Sequence, residues 1–363
     1  MSKKNKKGMS STAKWGIAFL VEVVILLCMI VGYIVFWTDE KLDQITVVEI
    51  KKEDLAINEG INEAQKGFTT IALFGIDARD VDSMAEGNRS DSIIIASINN
   101  DTKEVRLASI YRDSYLEIAD GSGLITKVNA AYSYGGPELA VATLNANLDL
   151  EITDFVTVNF LALTKAIDRL GGITIDVREE ELQMLNASIV EQIGVTGIYS
   201  DGVFTTGEML LNGTQATAYA RIRSTDRGDI TRTERQRTVI GKMVAKAKAS
   251  NISTIDGLID DVFPNIYTSI QRDEMLSLAK SLFDYELGET TGFPFSIVPY
   301  DHAVKGSILV PADLASNVAE LHRFLFGTEN YVPTQNVQRI SGNISADTGI
   351  GAQPIQIETL IVN

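Results

Sequence analysis

One uninterrupted apolar run near the start of the chain constrains its architecture more than any other feature. Residues 16–36 are almost wholly apolar, and Trp15 and Trp37 flank them. A helix rises about 1.5 Å per residue, so about 20 residues cross a hydrocarbon core of about 30 Å. Because aromatic rings favour the membrane interfaces, the run predicts a membrane-spanning helix over residues 15–37.

Charges on the two sides of this helix predict its orientation. Five lysines lie within residues 1–14, whereas acidic residues dominate the segment after the helix. Lysine and arginine are retained on the cytoplasmic side, so we expect residues 1–14 to be a cytoplasmic basic tail and the body to be extracytoplasmic. No later segment has 18 consecutive apolar residues, and no small-residue cleavage site follows Trp37. The sequence therefore predicts an uncleaved, single-pass anchor in the cell membrane.

The composition of the body argues against several classes of function. The only cysteine, Cys28, lies within the predicted helix, so the body has no disulfide, which favours a Gram-positive bacterium as the source. The only histidines, His302 and His322, argue against a Ser-His-Asp triad, a Cys-His pair or a histidine-based zinc site. The net charge of −16 is unfavourable for nucleic acid as a partner.

The rest of the chain divides into a linker, one large domain and a tail. Residues 38–66 are polar and predict an extracytoplasmic linker with helical character, either a stalk or a small element that precedes the domain. Over residues 67–327 strands alternate with helices, which predicts an α/β domain with a layered sheet, interrupted by a less regular insertion at 181–206. Residues 328–363 are rich in small polar residues, and we expect a loosely ordered tail.

The expected strands are 69–77, 92–99, 104–113, 155–160 and 173–177, and the expected helices are 138–148, 161–170, 231–249, 275–285 and 314–327.

An arginine-rich segment, residues 221–237, is the sharpest chemical feature of the sequence. It contains six arginines and no lysine. Planar guanidinium groups bind phosphate through paired hydrogen bonds, so a dense cluster of them in an acidic protein favours an anionic ligand. The alternative is a solvated surface on which the arginines pair with Asp226, Asp229 and Glu234.

The first turns of the helix predicted over residues 231–249 favour the anion site. Arg232 and Gln236 lie on the helical stripe that becomes apolar in the later turns. Helix N-termini carry a partial positive charge and free N–H groups, both of which favour phosphate. We therefore expect Arg232 and Gln236 to contribute to a phosphate site.

Two aspartates lie where neighbouring strands are expected to meet. Asp77 ends one predicted strand, and Asp91 precedes the next. If these strands are neighbours, the two carboxylates lie side by side, and a divalent cation relieves their repulsion. Mg²⁺ typically takes one or two carboxylates, waters and substrate phosphate. The alternative is that both carboxylates form ion pairs with Arg79 and Arg89.

Together these motifs resemble the LytR–CpsA–Psr family of cell-wall ligases. The resemblance covers most of residues 68–250, in the order of the family's motifs. The chain departs from the family at Tyr111, where proline is usual before Arg-Asp, and at 227–229, which alters the loop before Arg232. The matching segments are ALFGIDAR (72–79), NRSDSIIIASIN (88–99), SIYRD (109–113), KVNAAYSYGGPE (127–138), VNFLALTKAIDRLGGITIDV (158–177), LNGTQATAYARIRSTD (211–226) and DITRTERQR (229–237).

The resemblance implies a three-layer α/β/α fold with a mixed central sheet and an apolar tunnel for a polyprenyl chain. It implies an enzyme that moves an anionic glycopolymer, such as teichoic acid or capsule, from polyprenyl diphosphate onto a peptidoglycan sugar hydroxyl. Asp77 and Asp91 would hold Mg²⁺, with Mn²⁺ as an alternative. The residues expected to bind the diphosphate are Arg79, Arg89, Lys127, Arg232 and Gln236, and those expected to be catalytic are Arg112, Arg221, Arg223 and Asp226.

Two alternatives to the ligase remain open at this point. Water in place of the sugar hydroxyl would make the same site a polyprenyl-diphosphate hydrolase. A non-enzymatic regulator of the cell envelope is the other alternative. Within the ligase mechanism, either Asp113 or Asp226 is a candidate for the general base.

Overall fold

The computed structural model of the protein describes residues 42–78, 82–222, 229–280 and 284–351. The predicted membrane helix, residues 15–37, lies outside these ranges. Within them, no helix combines the length and the apolar character that a bilayer-crossing segment needs.

A mixed seven-stranded sheet forms the centre of the body. The strands are β1 (Thr46–Val47), β2 (Phe68–Ile76), β3 (Ser90–Asn99), β4 (Glu104–Ile110), β5 (Tyr115–Glu117), β6 (Ile125–Lys127), β7 (Asp154–Asn159), β8 (Ile173–Val177), β9 (Gly207–Leu211), β10 (Ile266–Thr268), β11 (Glu286–Phe293), β12 (Ile297–His302) and β13 (Gly306–Pro311). The order in the main sheet is β1-β10-β7-β2-β3-β4-β11. β3 is antiparallel to both β2 and β4, whereas β7 is parallel to β2. The remaining strands form the pairs β5–β6, β8–β9 and β12–β13.

The central strands are apolar on both faces, and this builds two separate cores. Side chains alternate along a strand, so Ile71 and Ile94 enter one core while Phe74 and Ile95 enter the other. The helices that cover the two faces are α1 (Ala130–Leu148), α2 (Phe160–Arg169), α3 (Leu182–Thr196), α4 (Gly213–Arg221), α5 (Asp229–Lys248), α6 (Ile252–Val262), α7 (Arg272–Lys280), α8 (Leu314–Phe326) and α9 (Gln335–Thr348). Helices α2 to α6 supply buried residues to the first core, and α1, α8 and α9 supply them to the second. The predicted mixed α/β fold is confirmed.

A close contact with a neighbouring loop bends α1. Gly136 has a φ of +63°, and a Cβ at this residue would lie 2.0 Å from the carbonyl oxygen of Ala85. Only glycine fits such an approach. Pro137 then starts the second half of the helix, where its fixed φ and missing N–H are tolerated. The helix predicted over 138–148 is confirmed as this second half.

The linker predicted over residues 38–66 is wrong for its described part. β1 pairs in parallel with β10 at the edge of the main sheet, and short 3₁₀ turns replace the expected helix. Leu42, Leu55 and Ile61 are buried. These widely spaced apolar residues attach a polar segment to the two cores, so the folded body includes the chain from residue 42 onward.

The loosely ordered tail predicted over residues 328–363 is also wrong for its described part, which ends at residue 351. Helix α9 occupies much of it, and the Thr334 side chain caps the helix by accepting a hydrogen bond from the backbone N–H of Val337. Val337, Ile340 and Ile344 are buried. Their helical spacing is sufficient for packing even though the surrounding residues are polar.

The less regular insertion predicted over residues 181–206 contains a helix. Residues 182–196 form α3, and Leu185 and Ile189 pack into the first core. The predicted strand at 173–177 exists as β8, but it pairs with β9 in a separate two-stranded sheet.

Removing one apolar side chain from α9 tests whether this helix is part of the folded body. We expect Ile340→Ala to lower the free energy of unfolding by about 2–5 kcal/mol, because Ile340 is fully buried and truncation leaves a cavity. The measurement is denaturant unfolding of the full chain in detergent, and Gln335→Ala, at an exposed site on the same helix, is the matched control. Equal stability of the two variants would show that the C-terminal segment is not packed.

Candidate active site

The register of β3 and β4 brings an aspartate and an arginine together at one edge of the main sheet. Ile94 pairs with Ser109, and continuing this register places Asp91 opposite Arg112. Their side chains form an ion pair between Arg112 Nη1 and Asp91 Oδ1, and each side chain is only 13% exposed. Asp91 lies inside β3 as its second residue, rather than before the strand as the sequence suggested.

Lys127 and Asp113 extend this charged group along the same edge. Lys127 ends β6, whose pairing with β5 folds it back over the segment that follows β4. Its Nζ lies 3.2 Å from Asp113 Oδ1, and Arg112 Nε lies 3.8 Å from Asp113 Oδ2. The structure therefore brings together four residues named from the sequence. Asp91, Arg112 and Lys127 were predicted at the site, and Asp113 was a candidate base.

Arg221 reaches the same edge from the end of α4. The last pair of the β2–β3 ladder is Ile76 with Ser90, so Asp77 leaves β2 beside the start of β3. Arg221 Nη2 lies 2.8 Å from Asp77 Oδ2. The two predicted metal ligands thus lie at adjoining ends of neighbouring strands, with Asp77 just after β2 and Asp91 within β3, and each carboxylate contacts an arginine.

Two further residues that the sequence analysis missed fix the Arg221 guanidinium. Gln192 Oε1 accepts a hydrogen bond from Arg221 Nη1 at 2.7 Å, and Gln192 Nε2 donates to Thr164 Oγ1. The ring of Phe160 lies 4.9 Å from Arg221 Cζ, within range of a cation–π interaction. Apolar residues at 182, 185, 189 and 193 have the spacing of an amphipathic helix. Gln192 lies on the same buried side, so this pattern was the sequence signal for its position.

Helix α5 contributes Arg232 from its second turn. Arg232 is buried, and its Nη2 lies 3.3 Å from the backbone carbonyl oxygen of Asp91. Gln236 follows one turn later and is partly buried. The predicted stripe therefore faces inward, and Arg235 shares that buried face.

The structure does not bring together every predicted site residue. Arg89 is exposed, and among the described residues it forms no ion pair with a carboxylate. Arg79, Arg223 and Asp226 lie outside the described ranges, so their roles stay predictions.

The arrangement is suited to an anionic ligand and to a hard cation. Four basic side chains reach the edge of the sheet, against three carboxylates; they are Arg112, Arg221, Arg232 and Lys127. Across the residues that the structure describes, no group of three or more His, Cys, Asp or Glu side chains is placed to hold a metal. Two carboxylates with no soft ligand nevertheless fit Mg²⁺, which completes its shell with waters and substrate phosphate. Mg²⁺ would have to compete with the arginines for both carboxylates.

The contact between Gln192 and Arg221 generates a stability prediction. We expect Gln192→Leu to lower the free energy of unfolding by about 1.5–3 kcal/mol, because a largely buried guanidinium loses a hydrogen-bond acceptor. Gln183→Leu, at an exposed site on the same helix, is the matched control. The free energy of unfolding of both variants is measured by denaturant unfolding. Equal values would contradict a stabilising hydrogen bond between Gln192 and Arg221.

Comparison with known proteins identifies relatives of the chain. Residues 34–296 match the model of the LytR_cpsA_psr family. Polyisoprenyl-teichoic acid–peptidoglycan teichoic acid transferase TagV of Bacillus subtilis (strain 168) is 34% identical over 61% of the chain, and the match spans 54% of that relative's length. Transferase TagU of Enterococcus faecalis is 32% identical over 73% of the chain and 82% of its own length.

Solved structures show the same fold. The crystal structure of Bacillus subtilis TagV covers 74% of the chain and 99% of its own, at 30% identity and a TM-score of 0.54. The match to the structure of the family protein YwtF (TagT) with bound octaprenyl pyrophosphate lipid covers 84% of this chain and 100% of the YwtF chain. Its identity is 20% and its TM-score is 0.50. Because the family model matches well over half of the chain and the site motifs lie within the match, the protein belongs to the LytR_cpsA_psr family.

Proposed function

We propose that the protein is a phosphotransferase that moves an anionic glycopolymer from a polyprenyl diphosphate carrier onto a peptidoglycan sugar hydroxyl. The observation that carries the proposal is the convergence of Arg112, Arg221 and Arg232 at one edge of the sheet, from three different elements. The relatives named as teichoic acid transferases and the family member with octaprenyl pyrophosphate support it.

Several buried arginines suit a diphosphate better than a single carboxylate or sugar. Each guanidinium donates paired hydrogen bonds to phosphate oxygens. Ion pairs with Asp77 and Asp91 orient the guanidinium groups of Arg221 and Arg112. A preorganised set of donors needs little rearrangement as negative charge develops during phosphoryl transfer.

The proposed reaction transfers one phosphoryl group with its glycan. The acceptor hydroxyl oxygen forms a bond to the phosphorus that carries the glycan, and the bond from that phosphorus to the bridging oxygen breaks. Polyprenyl phosphate leaves with the bonding electrons, and the product is a phosphodiester. The arginines stabilise charge on the phosphoryl oxygens and on the leaving group.

A base must accept the proton of the acceptor hydroxyl. Asp113 is a candidate because it lies at the same edge, 3.2 Å from Lys127 Nζ. Asp226 is the alternative candidate. An oxygen of the substrate itself is also chemically able to take the proton.

Mg²⁺ is proposed as the metal, with Asp77 and Asp91 as its protein ligands and Mn²⁺ as an alternative. When bound, the ion would neutralise charge on the diphosphate oxygens.

The polyprenyl chain is proposed to lie in the apolar layer between the main sheet and helices α2 to α6. The core on this face contains residues such as Ile71, Ile94 and Val239, and Arg232 lies on the same buried face of α5 as Val239. An anchor over residues 15–37 would hold the protein in the membrane that carries the lipid, which raises the effective concentration of the donor.

The transfer reaction is tested by replacing Arg221. Full-length protein in detergent is incubated with a lipid-linked glycan diphosphate, peptidoglycan and Mg²⁺, and release of polyprenyl phosphate is measured. We expect Arg221→Ala to lower the rate by about 10²–10³-fold, as for the loss of one donor to a developing charge. The control Arg169→Ala removes a surface arginine that pairs with Asp261, and it should react like wild type.

Two outcomes would contradict the proposal. Equal rates for Arg221→Ala and Arg169→Ala would remove Arg221 from the reaction. Polyprenyl phosphate released at the same rate without peptidoglycan would identify a hydrolase instead of a ligase.

The metal assignment is tested by a Mg²⁺ titration of the same reaction. We expect Asp91→Asn to need about tenfold or more Mg²⁺ for half-maximal rate. Loss of a ligand's charge should cost at least as much as loss of an outer-shell partner, which lowers metal affinity about 10–100-fold. Asp176→Asn, at an exposed position in β8, is the control. A titration curve for Asp91→Asn that overlays the wild-type curve would exclude Asp91 as a ligand.

A further inference from the structure

A buried ion pair outside the charged edge joins the turn before α3 to α5, the helix that carries Arg232. Glu181 is fully buried and ends the 3₁₀ turn before α3, and Arg235 of α5 is 3% exposed. Arg235 Nε lies 2.9 Å from Glu181 Oε1. Neither residue was assigned a function from the sequence.

The Glu181 carboxylate is surrounded by donors from three elements. Its Oε1 also accepts a hydrogen bond from Arg178 Nη2 at 2.9 Å, and its Oε2 accepts from the Arg178 backbone N–H at 2.9 Å. The hydroxyl of Tyr219 on α4 lies 3.5 Å from Oε1. Burial alone would raise the pKa of Glu181, but the hydrogen bonds from Arg178 and Arg235 outweigh it and lower that pKa. Glu181 is therefore an anion at neutral pH.

Arg235 contacts both segments that carry the phosphate-directed arginines. Its Nη1 lies 3.3 Å from the backbone carbonyl oxygen of Ile222, the residue after Arg221. Its guanidinium carbon lies 5.8 Å from the centre of the Tyr219 ring on α4. Arg232 is on the same helix as Arg235, one turn earlier. Arg235 thus links the end of α4 to the start of α5.

We propose that the Glu181–Arg235 pair is a positioning device that sets the separation of Arg221 and Arg232 to span the two phosphates of the donor, a role that rests on the proposed function. A buried ion pair is poor evidence for stability, because a protein in which apolar residues of similar volume replace the pair is often as stable or more stable. Specific geometry is the better reason to keep it. Loss of the pair should therefore affect recognition of a diphosphate more than recognition of a monophosphate.

The experiment compares affinities of the full-length protein in detergent for polyprenyl diphosphate and polyprenyl phosphate. The ratio of the two affinities is taken on the same sample, so a loss of folded protein does not change it. For the double variant Glu181→Met/Arg235→Met we expect a melting temperature close to that of wild type. We also expect the ratio to fall about tenfold and kcat to fall about 10²-fold, as for small misplacements of binding groups.

The control variant is Arg178→Met, which removes another donor to Glu181 from a half-exposed side chain that does not belong to α4 or α5. Its affinity ratio and kcat should match those of wild type. If the double variant does not fold, Arg235→Lys replaces it, because lysine keeps the charge but cannot donate to Glu181 and Ile222 in the same planar geometry. An unchanged ratio and kcat in a folded variant would overturn the positioning role.

The same measurements separate this inference from the proposed function. Wild-type protein that binds polyprenyl diphosphate but transfers nothing would contradict the proposed function. The affinity ratio would still test the positioning role of the Glu181–Arg235 pair. Variants that bind and react like wild type would contradict the pair alone.

Discussion

The register that pairs β3 with β2 and β4 is the constraint on which the rest of the site depends. It places Asp91 opposite Arg112 and brings Asp77 beside the start of β3. Because side chains alternate along a strand, a slip of one residue would turn both carboxylates and the apolar residues of these strands to the wrong face. The same hydrophobic pattern that builds the two cores therefore also fixes the charged edge.

Charge compensation explains how so many basic groups remain partly buried at this edge. Arg221 contacts Asp77, Gln192 and Phe160, which hold its guanidinium from three directions. Arg112 forms an ion pair with Asp91 and a longer one with Asp113. The carboxylates offset the charge of the arginines and so reduce the cost of placing them together. The buried pair of Glu181 and Arg235 extends this logic to the backbone that carries the arginines.

Much of the main sheet could be predicted because its strands are long and apolar. The hairpin of β3 and β4 and the helix after Pro137 follow from local patterns. The linker and the tail were wrongly predicted because their few buried residues, such as Leu55 and Ile340, are widely spaced in polar sequence. The overall polarity of such a segment hides the few apolar side chains that pack into a core.

The charged residues of the site could be predicted from strand ends, from the arginine-rich segment and from the family resemblance, whereas the residues that position them could not. Asp77, Asp91 and Arg112 follow from strand boundaries. Gln192 and Glu181 do not, because their positions depend on how α3 packs against α4 and α5. Tertiary contacts of this kind have no local signature.

The most direct test of the account follows the phosphorus atom. A donor labelled in the phosphate next to the glycan is incubated with the full-length protein, peptidoglycan and Mg²⁺, and the label is traced in the products. Transfer of the phosphoryl group with its glycan predicts the label in a phosphodiester on peptidoglycan and unlabelled polyprenyl phosphate. Label that stays on the lipid, or that appears in free glycan phosphate, would contradict the account.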